Sequence, residues 1–268
     1  MVFCGADVVP LDTTAAEGLR LTAGMVEEAI TQRSKLLVLN SPCNPSGVVL
    51  RRDELADIVG VALEHDLWVI SDEIYEKLVY DGWEHVSPAS LSDEAFRRVV
   101  TVGGVSKAYA MTGWRIGYAA GSTNLIEAAT NVQSTVSSAP NTIAQAATVE
   151  ALAGPQDAVA EMRELLQRRR DLMFEGLKRI PGLSCVRPAG AFYVFPDCRG
   201  LLGGSYRGRE VRTSRDLSEA LLEEAHIAVL PGTVFGAEGH LRLSFATDED
   251  AIEEGMQRFR RFVEDADD

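Results

Sequence analysis

Lys107 follows Gly103-Gly-Val-Ser106, in a loop directly after the apolar run Arg98-Val-Val-Thr-Val102. A lysine amine is a nucleophile only without its extra proton, and near pH 7.4 about one unperturbed lysine in a thousand is in that state. A loop at a ligand cleft can supply the surroundings that change this, and paired glycines suit a backbone that something approaches closely. Asp72 ends another apolar run, Trp68-Val-Ile-Ser71. A carboxylate there could cap a helix, bind a metal or hold a protonated ring nitrogen. Tyr75 lies three residues on, so a helical turn would bring its hydroxyl to the same pocket. Arg115 stands between Gly113 and Gly117. An arginine in apolar surroundings needs an anion, supplied either by a ligand or by a structural salt bridge. Asn44-Pro-Ser-Gly47 is by itself a turn signal.

The elements that must position these groups alternate. Lys35–Leu39 reads as a buried strand and Asp53–Glu64 as a helix, with Leu55, Ile58, Val59 and Ala62 at helical spacing and Asp53 as N-cap. Trp68–Ile70, Arg98–Val102 and Trp114–Ala120 read as further strands. Such alternation implies an α/β fold with a mostly parallel central sheet and flanking helices. Ligands of such sheets gather beyond the carboxyl ends of strands, where Asn44, Asp72 and Lys107 all fall. A long helix over Asp157–Ile180 stops at Pro181-Gly182. Beyond it come strands at Ala191–Phe195, Ile227–Leu230 and Leu241–Phe245, a glycine-rich loop at 200–208, a helix at Ser214–Glu224 and an acidic final helix. This predicts a large domain over 1–160, and the connecting helix with a smaller α+β domain over 161–268.

Composition narrows the partners. Against 26 Lys+Arg the 268 residues carry 40 Asp+Glu, a net charge of −14. That balance argues against nucleic acid, whose binding depends on basic residues neutralising phosphates. No apolar run reaches the ~18–20 residues of a membrane span, and Met1 is not followed by a signal-like segment, so the expectation is a cytoplasmic protein. Cys4, Cys43, Cys185 and Cys198 are scattered and read as reduced, buried or half-buried thiols. His65, His85, His226 and His240 form no pair with zinc-ligand spacing, so no metal is expected. Dinucleotide and P-loop glycine patterns are absent.

Taken in order, Asn44-Pro-Ser-Gly47, Ser71-Asp-Glu-Ile-Tyr75, Ser106-Lys107 and Gly113-Trp-Arg-Ile-Gly117 resemble the class I/II aminotransferases, pyridoxal-phosphate enzymes of fold type I. The likeness continues through Tyr109-Ala-Met-Thr-Gly113, Pro188-Ala-Gly-Ala-Phe-Tyr193, Pro231-Gly-Thr-Val-Phe-Gly236 and Leu241-Arg-Leu-Ser-Phe245. It spans essentially the whole chain and is nearest the bacterial and archaeal aspartate aminotransferase-like branch. The resemblance implies that Lys107 forms the Schiff base with pyridoxal 5′-phosphate and shuttles the substrate Cα proton. It implies that Asp72 holds the pyridine nitrogen, keeping it protonated so that the ring is an electron sink. Tyr75 and Asn44 would donate to the ring O3′, Arg115 would hold the phosphate, and Arg242, with Asn44, would bind the substrate, its fork taking the α-carboxylate. An L-amino acid and a 2-oxo acid would be the substrates, aspartate and 2-oxoglutarate first among them, and the full-length form would be a homodimer.

Two departures from the family accompany the likeness. Gly104 stands where many relatives have a phosphate-binding serine. Family members also carry a substantial segment before the region where Val8–Leu11 begins, so the expectation is the later part of a larger protein. A non-catalytic fragment or pseudoenzyme, and a lyase or synthase of the same fold, are the alternative readings.

Overall fold

The computed structural model describes residues 4–266; the outermost residues of the two expected domains, 1–3 and 267–268, lie outside the described residues. The chain falls into two compact units. Of the described residues, one comprises 21–43 and 49–163, the other 4–20, 44–48 and 164–266.

The first unit is built on a four-stranded sheet of β1 (Leu36–Asn40), β2 (Trp68–Asp72), β3 (Val99–Gly104) and β4 (Gly117–Ala120), in that spatial order. β1, β2 and β3 run parallel, with Asn40 beside Asp72 and Asp72 beside Val102. β4 returns antiparallel, placing Tyr118 beside Gly103. The helices are α1 (Ala23–Ala29), α2 (Arg52–Glu64), α3 (Asp93–Arg98), α4 (Thr123–Val136) and α5 (Thr142–Ala153). The expected stripe of α2, Leu55, Ile58, Val59 and Ala62, is buried. Burial of each large aliphatic among these contributes roughly 1.5–3 kcal/mol. Its N-terminus differs from expectation: the cap position is Arg51, and Asp53 lies in the first turn. Glu54 Oε2 accepts the Arg51 N–H at 2.7 Å, which draws the helix start back two residues.

The fourth strand also begins later than expected. Thr112–Trp114 form a 3-10 turn and Arg115 has φ of 56°, a left-handed conformation that no strand can continue. Val105, Ile116 and Ala144 form a small core under this region, with Tyr109, Met111 and Ala151 packed on it. α4 and α5, to which the sequence reading assigns no element, present an unusually apolar outer surface. Val132, Val136, Ile143 and Val149 are each more than 60% exposed.

In the second unit, β5 (Tyr193–Val194), β9 (Leu241–Ser244) and β8 (Leu230–Pro231) form an antiparallel sheet in the order β5-β9-β8. The long helix α6 (Asp157–Leu177) enters it, with Leu166, Arg170, Met173 and Leu177 buried. α7 (Ser214–Ala225) starts at a capping box between Thr213 and Asp216, and α8 (Glu249–Glu264) buries Ile252, Met256, Phe259, Phe262 and Val263. The glycine-rich stretch at 200–208 is not simply a loop. β6 (Gly204–Tyr206) and β7 (Arg209–Val211) pair as a hairpin. Its two turn residues, Arg207 and Gly208, have φ of 53° and 77°, as a two-residue hairpin turn matched to strand twist requires.

Among the thiols, Cys198 is buried and Cys43 and Cys185 are half-buried, whereas Cys4 is exposed, contrary to expectation. Burial pushes the Cys185 thiol up to about 11 and the Cys198 thiol up to about 12, so neither is a ready nucleophile.

Gly47 combines two constraints. Its φ is 69°, and an added Cβ would collide with Pro188 Cβ and stand 2.9 Å from the Gly190 carbonyl oxygen. Gly47→Ala is expected to lower stability by about 1–3 kcal/mol. The measurement is a drop in the urea midpoint at unchanged slope.

Candidate active site

In the first unit the candidate residues lie at the ends of β2 and β3. Asp72 is the last residue of β2 and is half-buried. Its backbone carbonyl accepts from Asn40 Nδ2 at 3.1 Å and from the Ser41 N–H at 3.3 Å. Its carboxylate Oδ1 accepts the Ile74 N–H at 3.2 Å. The chain then leaves the sheet in turns, closed by Glu76 N–H to the Glu73 carbonyl and Leu78 N–H to the Tyr75 carbonyl, both 2.8 Å. That path buries Tyr75, the residue three positions after Asp72.

Lys107 sits in the turn after β3, anchored by buried neighbours on both sides, Val105 and Ala108. Tyr109 steadies the turn further by donating to Gln156 Oε1 at 2.9 Å. The Lys107 ammonium lies 6.0 Å from the centre of the Tyr75 ring, at the range of a cation–π contact. The structure therefore brings Lys107 and Tyr75 together beside the strand end that carries Asp72. Arg115, held in its left-handed conformation after the 3-10 turn, is exposed and donates from Nη1 to the Thr112 carbonyl at 3.0 Å.

The glycine before Lys107 has a steric reason. A Cβ on Gly104 would be 3.0 Å from both the Ile116 carbonyl oxygen and Ile74 Cδ1. The backbone at Ile116 and Gly117 thus leaves no ordinary room for a side chain at this position. At Gly103 the missing side chain is replaced by Tyr118, whose ring would stand 2.6–2.8 Å from a Cβ there.

In the second unit, Arg242 on β9 is stacked between two rings, its guanidinium carbon 4.3 Å from the centre of Tyr193 and 4.9 Å from that of Phe235. Its Nη1 donates to Asn44 Oδ1 at 2.9 Å. The segment carrying Asn44 is held in turn. The Gly47 carbonyl accepts from the N–H groups of Ala189 and Gly190, both at 2.9 Å. Arg170, fully buried, donates to the Pro188 carbonyl at 3.0 Å. Two motifs distant in sequence, Asn44–Gly47 and Pro188–Tyr193, thus form one scaffold for Asn44 and Arg242.

The sequence reading missed the groups around Glu73. The Glu73 carboxylate is buried and accepts from His85 Nε2 and Ser87 Oγ, each at 2.8 Å. Glu73, Glu76 and His85 offer ligand-type atoms all within 4.8 Å of one another. The only local signal is an acid placed directly after Asp72 at a buried strand end.

Residues 2–259 match the family model for aminotransferase class I and II. The chain belongs to this family. It is 47% identical over 257 residues to an aspartate aminotransferase of Rhizobium meliloti strain 1021, covering 95% of this chain and 63% of that relative. Identity to an aspartate aminotransferase of Bacillus sp. strain YM-2 is 42%, over 97% of this chain and 65% of the relative. The chain thus spans somewhat under two thirds of the length of these curated relatives. Among solved structures, a Rhizobium meliloti aspartate aminotransferase superposes with a TM-score of 0.91 at 46% identity, covering 95% of this chain and 64% of that one. A Thermus thermophilus aspartate aminotransferase with maleate gives 0.89 at 44%, covering 98% and 65%. The fold is accordingly fold type I of the pyridoxal-phosphate enzymes, a family whose aspartate aminotransferases use that cofactor. Among the described residues no helix is long and apolar enough to cross a membrane.

The Tyr118 phenol is held above its ordinary value, first by burial and then by the carboxylate of Glu76, with which it hydrogen-bonds. Tyr118 is expected to keep its proton beyond the pH of about 10 at which exposed tyrosines ionise. Ultraviolet titration checks this: Tyr118→Phe should remove a component from the high-pH end of the curve.

Proposed function

We propose that this chain belongs to a cytoplasmic enzyme that moves an amino group from an L-amino acid to a 2-oxo acid using pyridoxal 5′-phosphate, with aspartate and 2-oxoglutarate as the leading pair. The observation that carries this reading is the approach of Lys107 to the Tyr75 ring beside Asp72. The donor set suits the cofactor group by group. A carboxylate answers a ring nitrogen cation, a phenol answers the ring oxygen, an amine answers the aldehyde, and an exposed guanidinium answers the phosphate. Family membership and 47% identity to an aspartate aminotransferase support it further.

In this reading Lys107, Asp72, Tyr75, Asn44 and Arg115 hold the cofactor. When bound, it supplies an electron sink for the pair left on the substrate Cα as its proton departs. Asp72, its carboxylate oriented by the Ile74 N–H, keeps the ring nitrogen protonated. The Lys107 amine would take up and release the substrate Cα proton. Arg242 would pair with the substrate α-carboxylate; the two nearby rings restrict the rotamers of its intrinsically planar fork. Asn44 accepts from Arg242 through Oδ1, so its amide nitrogen is the side that donates.

A second copy of the chain is the proposed protein partner. The exposed valines and isoleucine of α4 and α5 support this, because a patch of that kind on a soluble protein marks an interaction surface. Residues 1–160 would form the cofactor-binding domain and 161–268 the smaller one.

Borohydride reduction in the presence of pyridoxal phosphate, followed by peptide mass analysis, tests the assignment. Label is expected on Lys107 and lost in Lys107→Ala; folded wild-type chain without label at Lys107 would sink it. Given that label, Arg242→Lys is expected to raise KM for aspartate by about tenfold, since lysine cannot supply the paired fork. Initial rates against aspartate concentration measure this.

A further inference from the structure

Glu73 is an expensive residue in its position. Its side chain is 4% exposed, and that of its partner His85 is 12% exposed. A carboxylate taken out of water costs several kcal/mol before its partners repay it, and an apolar residue of similar size often does as well or better for stability alone. The sequence nevertheless gathers three donors onto this one carboxylate: His85 Nε2 and Ser87 Oγ, each at 2.8 Å, and Thr101 Oγ1 at 3.5 Å. His85 has no competing engagement, for its Nδ1 is buried without a partner among the described residues. Its ring is therefore aligned by Glu73.

The place of this cluster in the sheet gives it a use. Thr101 on β3 pairs with Ser71 on β2, so it stands on the face that Ser71 shares and Asp72 does not. Reaching Thr101, the Glu73 side chain occupies that same face, opposite the Asp72 carboxylate. Between the two side chains lies a single peptide unit, whose N–H, that of Glu73, donates to the Val102 carbonyl at 2.8 Å. After it β2 is over and the chain turns through Glu76 and Leu78. Glu73 thus ties the end of β2 sideways to β3 and to the returning segment at 85–87.

We propose that Glu73, clamped by His85, Ser87 and Thr101, is a positioning residue that fixes the direction of the Asp72 carboxylate. It touches neither substrate nor cofactor; it acts through the peptide it shares with Asp72. The inference rests on the reading of Asp72 and Lys107 given above.

The test compares wild-type chain with Ser87→Ala, Glu73→Leu and Glu73→Gln by titration with pyridoxal phosphate. The readouts are affinity and the visible circular dichroism of the bound cofactor, which reports ring orientation. Melting temperature is measured in parallel. Removing a hydrogen bond to a charged group typically changes an equilibrium by about tenfold. Ser87→Ala is expected to weaken binding by up to about that factor, with a changed dichroism band. Glu73→Leu should lose more, and Glu73→Gln, which keeps an acceptor for Ser87 and Thr101, should recover most of it. If Glu73→Leu fails to fold, Ser87→Ala decides. Variants that are stably folded, or only less stable, but bind with unchanged affinity and an unchanged dichroism band overturn the proposal. In that case the Lys107 label of the wild type still stands, so the cofactor assignment survives. A wild type that takes no label sinks that assignment and this inference with it.

Discussion

The peptide unit that follows Asp72 is pinned from both neighbouring strands. Asn40 and Ser41, at the end of β1, donate to its carbonyl, and the next N–H donates to Val102 on β3. Turning that carbonyl away would break two hydrogen bonds, each with a net value of about 0.5–1.5 kcal/mol. The Asp72 side chain therefore projects beside a peptide held from both sides. The turn that follows, the burial of Tyr75 and the reach of Lys107 over its ring all start from that fixed point. The role proposed for Asp72, keeping a ring nitrogen protonated, would need such a fixed point, because the value of a charge-assisted hydrogen bond falls quickly with misalignment.

The second unit solves a different problem, how to hold a cation without consuming it. A salt bridge to a neighbouring carboxylate would occupy the fork that the substrate role proposed for Arg242 requires. Arg242 is given a neutral acceptor, Asn44 Oδ1, and two aromatic faces instead. These partners stabilise the charge partly and leave it attractive to an anion. The cost moves one layer out, where a fully buried Arg170 supports the loop that grips Gly47. There the charge is matched by Asp171, at 2.7 Å from Nη2.

Much of this was legible in the chain because it depends on local pattern. The aliphatic runs of β1, β2 and β3 and the stripe on α2 are patterns of one element each, and Lys107 and Asp72 fall where those runs stop. What was hidden depends on contacts distant in sequence. Arg115 sits among Trp, Ile and Gly, a composition that reads as strand, yet packing sets its φ to 56°. Arg207-Gly208 lies in a glycine-rich stretch, where nothing short of the backbone angles distinguishes a hairpin turn from a loop. The Glu73 carboxylate finds its partners outside its own element; they arrive 12 and 14 residues later with His85 and Ser87. Helix α5 lacks the contrast between apolar and polar faces that announces a helix, since its exposed Ile143 and Val149 are apolar as well.

That lack of contrast bears on assembly. A chain with a net charge of −14 repels its own copy wherever its ordinary surface would meet. From Thr112 to Ala153 the charged residues are only Arg115, Glu127 and Glu150. The stretch that exposes the most apolar side chains is thus also the one where two copies meet with the least repulsion. Burying Val132, Val136, Ile143 and Val149 would remove apolar area from water at roughly 25 cal/mol per Å². A surface kept both apolar and nearly uncharged on an otherwise acidic protein costs solubility unless something covers it. The second copy proposed above as partner, bearing the same surface, would meet that requirement by symmetry, because a two-fold interface needs only one self-complementary surface.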